Sequence, residues 1–194
     1  MRIYLARHGE TELNSRGLLQ GRRDSPLTEV GLRQADQLGS WLASAPLRLE
    51  ELVVWSSPLR RAVHTAERML AQAGVSRPIK VDDRLVEVDG GSFEGVARAN
   101  AAAQAPGVDP RDVLLLHAED GEKYDSVRAR LHDWLGEVKA QGGDHIVVSH
   151  AGCGRVLRAL YQGLGREGLA AMDTHHTALF LLRGGEVERI DTDK

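Results

Sequence analysis

Ile3-Tyr4-Leu5-Ala6-Arg7-His8-Gly9-Glu10-Thr11 is the stretch whose reading decides the fold. Its first four residues are an unbroken apolar run, the pattern of a strand buried on both faces, and Arg7, His8 and Gly9 end it in a polar loop. The pattern returns twice: Leu52 to Trp55 is apolar and stops at the capping pair Ser56-Ser57, and His145 to Ser149 is β-like and stops at His150. Helical patterns lie between these runs. Thr28 is an N-cap with Glu29 at the positive helix start, and Leu32, Ala35, Leu38 and Leu42 recur at helical spacing as far as Ala45-Pro46. Pro58 reads as the first residue of a second helix that reaches Ala73-Gly74. Val127, Leu131, Trp134, Leu135 and Val138 mark a third helix over Tyr124 to Gln141, and Val156, Leu157, Leu160 and Tyr161 are the buried side of a fourth, Gly154 to Gln162. Ile79 to Val81 is a short strand, and Ala178 to Leu182 and Val187 to Ile190 are two strands around Gly184-Gly185. The repetition of strand, loop and helix predicts an α/β protein: a three-layer α/β/α sandwich on a mainly parallel central sheet, with right-handed crossovers.

The 194 residues read as one domain, 1–194, with a variable excursion at about 96–121 that holds an alanine-rich segment, Ala97 to Gly107. With 25 basic and 28 acidic residues the chain has no nucleic-acid footprint, and no apolar run is long enough for a membrane-spanning helix. The start of the sequence shows no signal-peptide pattern, so cytoplasm is the expected compartment. A single cysteine, Cys153, excludes an intramolecular disulfide and a cysteine-cluster zinc site. The basic residues are 21 Arg against 4 Lys, and only position can separate anion-binding arginines from surface ones.

In open α/β sheets ligands sit outside the carboxyl ends of the strands. Here three strand exits carry Arg7-His8, Ser56 to Arg61, and Ser149-His150. If those strands are neighbours, two imidazoles and two guanidiniums converge, an arrangement that repels itself unless an anion fills it. The forked donors of Arg7 and Arg61 fit a tetrahedral phosphate. His8 is then the candidate nucleophile on phosphorus, because a neutral imidazole nitrogen is available near neutral pH. A carboxyl group close to an anion is pushed toward its protonated form, and Glu87 in the loop Arg84 to Gly95 is the candidate proton donor.

Leu5-Ala6-Arg7-His8-Gly9-Glu10-Thr11 also resembles the signature of the histidine phosphatase superfamily, branch 1, the group that includes cofactor-dependent phosphoglycerate mutases. The likeness continues in order through Asn14, Gln20-Gly21, Asp24-Ser25-Pro26-Leu27-Thr28, Gly31, Gln34-Ala35, Ser56-Ser57-Pro58-Leu59-Arg60-Arg61-Ala62, Thr65-Ala66, Leu85-x-Glu87, Gly91-x-x-Glu94-Gly95, Gly121-Glu122 and Val148-Ser149-His150. The resemblance implies a phosphoglycerate mutase-like fold, phosphorylation of His8, phosphate binding by Arg7 and Arg61, and stabilisation of phosphoryl oxygens by His150. It further implies Glu87 as proton donor, and Asn14, Gln20, Gly21 and Ala151 beside the phosphate or substrate. No metal or organic cofactor is implied.

Three departures bear on function. Ala151 stands where a glycine is usual, Asp120-Gly121-Glu122-Lys123 stands for Gly-Gly-Glu-Ser, and the basic insertion of the mutases is reduced to the isolated Arg98 and Arg111. Lys123 and the alanine-rich excursion are therefore expected to shape substrate choice. The missing basic insertion favours a phosphomonoesterase acting on a small phosphorylated metabolite over a phosphoglycerate mutase-type phosphotransferase. A non-catalytic phospho-ligand-binding protein is the third reading. Leu114 to Leu116 with His117 lines the substrate or forms a buried helix edge.

Other patterns read as structural. Gly163-Leu164-Gly165-Arg166-Glu167-Gly168 spells a dinucleotide fingerprint, but it follows a helix instead of a strand and is a glycine-rich helix stop. His175-His176 lacks a carboxylate at ligand spacing, and His176 reads as a loop residue or, as the alternative, as one near the pocket mouth just before the last strands. Arg16, Arg22 and Arg23 are neighbours of the site, and the remaining sixteen arginines belong to the surface. The two terminal strands leave a homodimer open as an association.

Overall fold

The computed structural model describes residues 1–104 and 119–192. Among these, six strands form one sheet: β1 (Arg2–Arg7), β2 (Val53–Ser56), β3 (Ile79–Val81), β4 (Asp144–Ser149), β5 (Ala178–Arg183) and β6 (Glu186–Asp191), in the order β3-β2-β4-β1-β5-β6. The first four in that order run parallel, and β5 and β6 are antiparallel. The helices are α1 (Glu12–Ser15), α2 (Glu29–Ser44), α3 (Arg60–Ala73), α4 (Arg98–Gln104), α5 (Tyr124–Gln141) and α6 (Ala151–Tyr161). Leu114 to Leu116, His117 and Arg111 lie outside the described residues.

The unbroken apolar runs are explained by the layers. Alternate residues of a strand point to opposite faces, and here both faces are covered. Ile3 and Leu5 pack with Trp55, Val147 and Phe180 under α5 and α6, while Tyr4 and Ala6 pack with Val54, Ile146, Val148 and Leu179 under α2 and α3. The three-layer α/β/α sandwich is therefore as predicted. β2, β4 and β1 are adjacent, so the strand exits carrying Ser56-Ser57, Ser149-His150 and Arg7-His8 open side by side.

Helix starts follow side-chain chemistry. Thr28 Oγ1 caps α2 by accepting from Gly31 N–H at 3.0 Å. The loop after β1 lies on this helix so closely that a Cβ on Gly9 would stand 2.3 Å from Gly31 O, and one on Gly31 would stand 2.0 Å from Glu10 O. Facing glycines thus let the chain turn at His8 directly against α2.

Several boundaries differ from the sequence reading. α3 begins at Arg60, two residues after Pro58, because Ser57 Oγ accepts from Leu59 N–H at 3.3 Å and holds Pro58 in the turn. α6 begins at Ala151 instead of Gly154, with His150 as its N-cap; Gly152 and Gly154 hid its first turn, because glycine lowers helix propensity. α1 was not foreseen: Thr11 and Asn14 build a reciprocal capping box around a single turn.

The surface assignment of the sixteen arginines also needs correction. Arg155 and Arg158 are buried inside α6. Arg155 donates to Leu169 O at 2.5 Å, and Arg158 lies 3.8 Å over the Phe180 ring and donates to the main chain and carboxylate of Asp173. These carbonyl partners come from the segment after the glycine-rich stop, which the α6 pattern alone does not reveal. The stop itself behaves as read: Leu164 N–H closes back on Ala159 O at 2.8 Å.

Candidate active site

His8 stands at the exit of β1 with its main-chain N–H bonded to Ser149 O at 3.0 Å. Its Nδ1 donates to Gly9 O at 2.7 Å, which leaves Nε2 as the ring nitrogen that carries the lone pair. Arg61 Nε donates to that Nε2 at 3.2 Å, while its other nitrogens bond Arg23 O at 2.8 Å and Gly21 O at 2.7 Å. The guanidinium is thus fixed by main-chain carbonyls, with Asp24 Oδ1 farther off at 3.7 Å.

The second imidazole, His150, lies 5.1 Å from His8 between ring centres. Its Nε2 meets Ser57 Oγ at 2.6 Å; with the hydroxyl donating to the ring, the neutral His150 carries its proton on Nδ1. Both rings are 3% exposed or less, so the site is a floor closed to water on its protein side. Burial is the main reason that His8 and His150 are held well below the ordinary histidine range. The charges of Arg61 and Arg7 lower both further, and His150 also acts on His8. Burial and Arg98 pull Arg7 down to about 10.

Among the described residues, three buried nitrogen atoms in this neighbourhood have no hydrogen-bond partner: Arg7 Nε, His150 Nδ1 and Gln20 Nε2. Buried polar groups are nearly always paired, so a cluster of unpaired donors of one polarity is the signature of an anion site. Gln20 is oriented for the task, because its Oε1 accepts from Thr11 Oγ1 at 2.9 Å and Asn14 Nδ2 at 3.3 Å. A cleft open at its mouth is lined by Arg7, His8, Asn14, Gln20, Gly21, Arg61, Glu87, Arg98 and Ala151 among others. Every sequence-predicted site residue lines that cleft except His150, which flanks its floor.

Glu87 is 7% exposed and sits at the start of α6. Its carboxyl accepts from Val88 N–H at 2.9 Å, Cys153 N–H at 2.9 Å and Gly152 N–H at 3.1 Å. The loop behind it is pinned by two arginines. Arg22 Nε donates to Glu87 O at 3.2 Å, Arg130 Nη1 donates to Arg84 O at 2.5 Å, and Glu122 binds both guanidiniums at 2.9–3.1 Å. Burial pushes the Glu122 carboxyl up, but Arg130 and Arg22 outweigh it and hold it below its ordinary range.

Sequence reasoning missed several members. Arg98 is not isolated but lines the cleft from the first turn of α4, and its charge acts on Arg7. His176, read as a loop residue or as one near the pocket mouth, lies against His8: its Nδ1 donates to His8 O at 2.6 Å, and burial and Arg7 pull its ring down to about 3. Arg98 lies in a segment with no strong periodicity, so only the folded chain reveals it. Arg22 is a neighbour as expected, whereas Arg16 is exposed, and Arg23 supplies its carbonyl instead of its charge. Lys123 is exposed, and its ammonium donates to Glu119 O at 2.6 Å. Among the described residues no cluster of His, Cys, Asp and Glu could hold a metal ion, and no helix is long and apolar enough to cross a membrane.

A family model described as the histidine phosphatase superfamily (branch 1) matches residues 3–189. A bifunctional protein of Mycobacterium tuberculosis is 35% identical over 153 residues, 78% of this chain, which spans 38% of that longer relative. A putative phosphoserine phosphatase 2 of Hydrogenobacter thermophilus is 31% identical over 177 residues, 87% of this chain and 82% of its own length. Among solved structures, mycobacterial glucosyl-3-phosphoglycerate phosphatase in complex with VO3 superposes with a TM-score of 0.81 at 27% identity, covering 98% of this chain and 96% of the other.

Proposed function

Because the chain belongs to the histidine phosphatase superfamily, branch 1, we propose that it is a phosphomonoesterase that hydrolyses a small phosphorylated metabolite through a phosphohistidine on His8. The observation that carries this reading is the trio of unpaired buried donors, Arg7 Nε, His150 Nδ1 and Gln20 Nε2, around a histidine whose Nε2 lone pair faces Arg61 Nε. Arg7, Arg61 and His150 hold the phosphoryl oxygens, and the arriving group takes the place of the Arg61 bond to His8 Nε2. Nε2 forms a bond to phosphorus as the ester P–O bond breaks, and Glu87 gives its proton to the departing oxygen. Water then attacks the phosphorus with Glu87 taking its proton, and orthophosphate leaves with His8 restored. Positioning and charge stabilisation supply the rate, as is general for phosphoryl transfer.

Two of the substrates named for relatives, phosphoserine and glucosyl-3-phosphoglycerate, carry a carboxylate beside the phosphate. Arg98 at the wall of the cleft is placed to meet such a second anion. The test is release of inorganic phosphate from p-nitrophenyl phosphate and from a panel of phosphorylated metabolites with and without carboxylates. H8A is expected to abolish release while keeping the wild-type circular dichroism; retained turnover by H8A overturns the mechanism, and product formed without free phosphate favours a phosphotransferase.

A further inference from the structure

Two imidazoles approach His8, and only His150 has a part in the chemistry above. The other, His176, is half-buried with its ring centre 5.8 Å from that of His8 in an edge-on arrangement. Its partner is a main-chain atom: His176 Nδ1 donates to His8 O at 2.6 Å. That carbonyl belongs to the same peptide unit as Gly9 N–H, which donates to Thr65 Oγ1 at 3.0 Å. The His8–Gly9 peptide plane is therefore gripped at both ends, by His176 on its oxygen and Thr65 on its N–H.

The grip is anchored on both sides of His176. Three residues earlier, Asp173 is bound by Arg158 from α6 and by Arg189 from β6, the latter at 2.7 Å. One residue later, Thr177 O accepts from Thr192 N–H at 2.9 Å and Thr192 Oγ1 at 2.8 Å. A side chain tied down in this way can resist rotation of the peptide it holds.

We infer that His176 is a positioning residue for the nucleophile, clamping the His8–Gly9 peptide so that His8 Nε2 faces the phosphorus. This rests on the reading of His8 as nucleophile. The His8 ring is fixed to the Gly9 carbonyl, so its direction depends on the peptide planes on either side of Gly9. Freeing His8 O lets the first of these planes turn and swings the ring with it. A misplacement of about 1 Å at a reacting atom costs on the order of 100-fold in rate.

Steady-state and single-turnover kinetics of H176F and H176N, followed with p-nitrophenyl phosphate, test the clamp. Phenylalanine fills the space without a donor, and the asparagine amide nitrogen replaces Nδ1. H176F is expected to lower kcat and the rate of phosphoenzyme formation by roughly 10- to 100-fold with KM changed less than about 3-fold, and H176N to return kcat to within about 3-fold of wild type. Wild-type turnover in H176F, or an H176N as slow as H176F, overturns the inference. Should H176F not fold, T65V breaks the other end of the same clamp; a similar fall in kcat at constant KM is expected, and wild-type kcat there overturns it. Absence of an acid-labile phosphoenzyme in the wild-type protein overturns the nucleophile reading itself, whereas its presence with H176F at wild-type speed overturns only the clamp.

Discussion

At the back of the cleft, Arg22 and Arg130 meet the carboxylate of Glu122, and Arg84 meets Asp82 and Glu137. At its floor, among the described residues, Arg7 meets no carboxylate within ion-pair distance, and Arg61 is bound by carbonyls with Asp24 only at 3.7 Å. The side chains are alike and their settings opposite. Behind Glu87 the positive charge is neutralised by the protein and serves to hold a loop. At the floor it is offset only at longer range, by Glu87 on both arginines, so the folded state carries an electrostatic load that a bound anion relieves.

Exchanging charge for shape in each region should break the comparison in opposite directions. R7M is expected to lose about 10²–10³ in kcat/KM for p-nitrophenyl phosphate, as for loss of one preorganised donor, yet to melt at or above the wild-type temperature because an unpaired cation has gone. A clear fall in Tm would show that Arg7 is compensated within the protein. E122Q should lose about 2–3 kcal/mol in stability, because it leaves Arg22 and Arg130 partly unpaired, and about 10-fold in kcat, because the Glu87 loop loosens. An E122Q protein with wild-type Tm would separate the loop from its arginines.

Acid should sharpen the contrast. His8, His150 and His176 have folded values depressed below the ordinary 6.5, so the unfolded chain binds more protons between the two values. Stability is then complete above about pH 6.5 and falls as the pH drops toward the depressed values, by up to about 1.4 kcal/mol per pH unit for each imidazole. Inorganic phosphate should restore part of the loss, since it favours the charged rings. Thermal melts between pH 7.5 and 5, with and without phosphate, check both signs, and a Tm that rises on acidification would contradict them. The smallest effect is expected at Lys123: K123S should keep kcat/KM within about 2-fold across the metabolite panel, because the exposed ammonium bonds Glu119 O.

The contrast also explains what was legible in the sequence. Arg7, His8, Arg61 and His150 could be read because they end apolar strands or open a helix, where periodicity stops abruptly and the sheet order does the rest. Glu87 could be found only through its motif, because nothing in a loop acid announces the three amides that it meets at the start of α6. Arg98 and the buried pair Arg155 and Arg158 were not legible, and of His176 only a place near the pocket mouth was. Its hydrogen bond to His8 spans 168 residues of sequence, which no local pattern can announce.

Rapid acid-free quenching of wild-type protein during turnover of p-nitrophenyl phosphate, followed by mass spectrometry of its peptides, tests whether the floor is built around a nucleophilic His8. One phosphoryl group, lost on acid treatment, is expected on the peptide containing His8, and none there in H8A. A phosphoryl group on any other residue, or steady turnover by an H8A protein that never becomes phosphorylated, would contradict it.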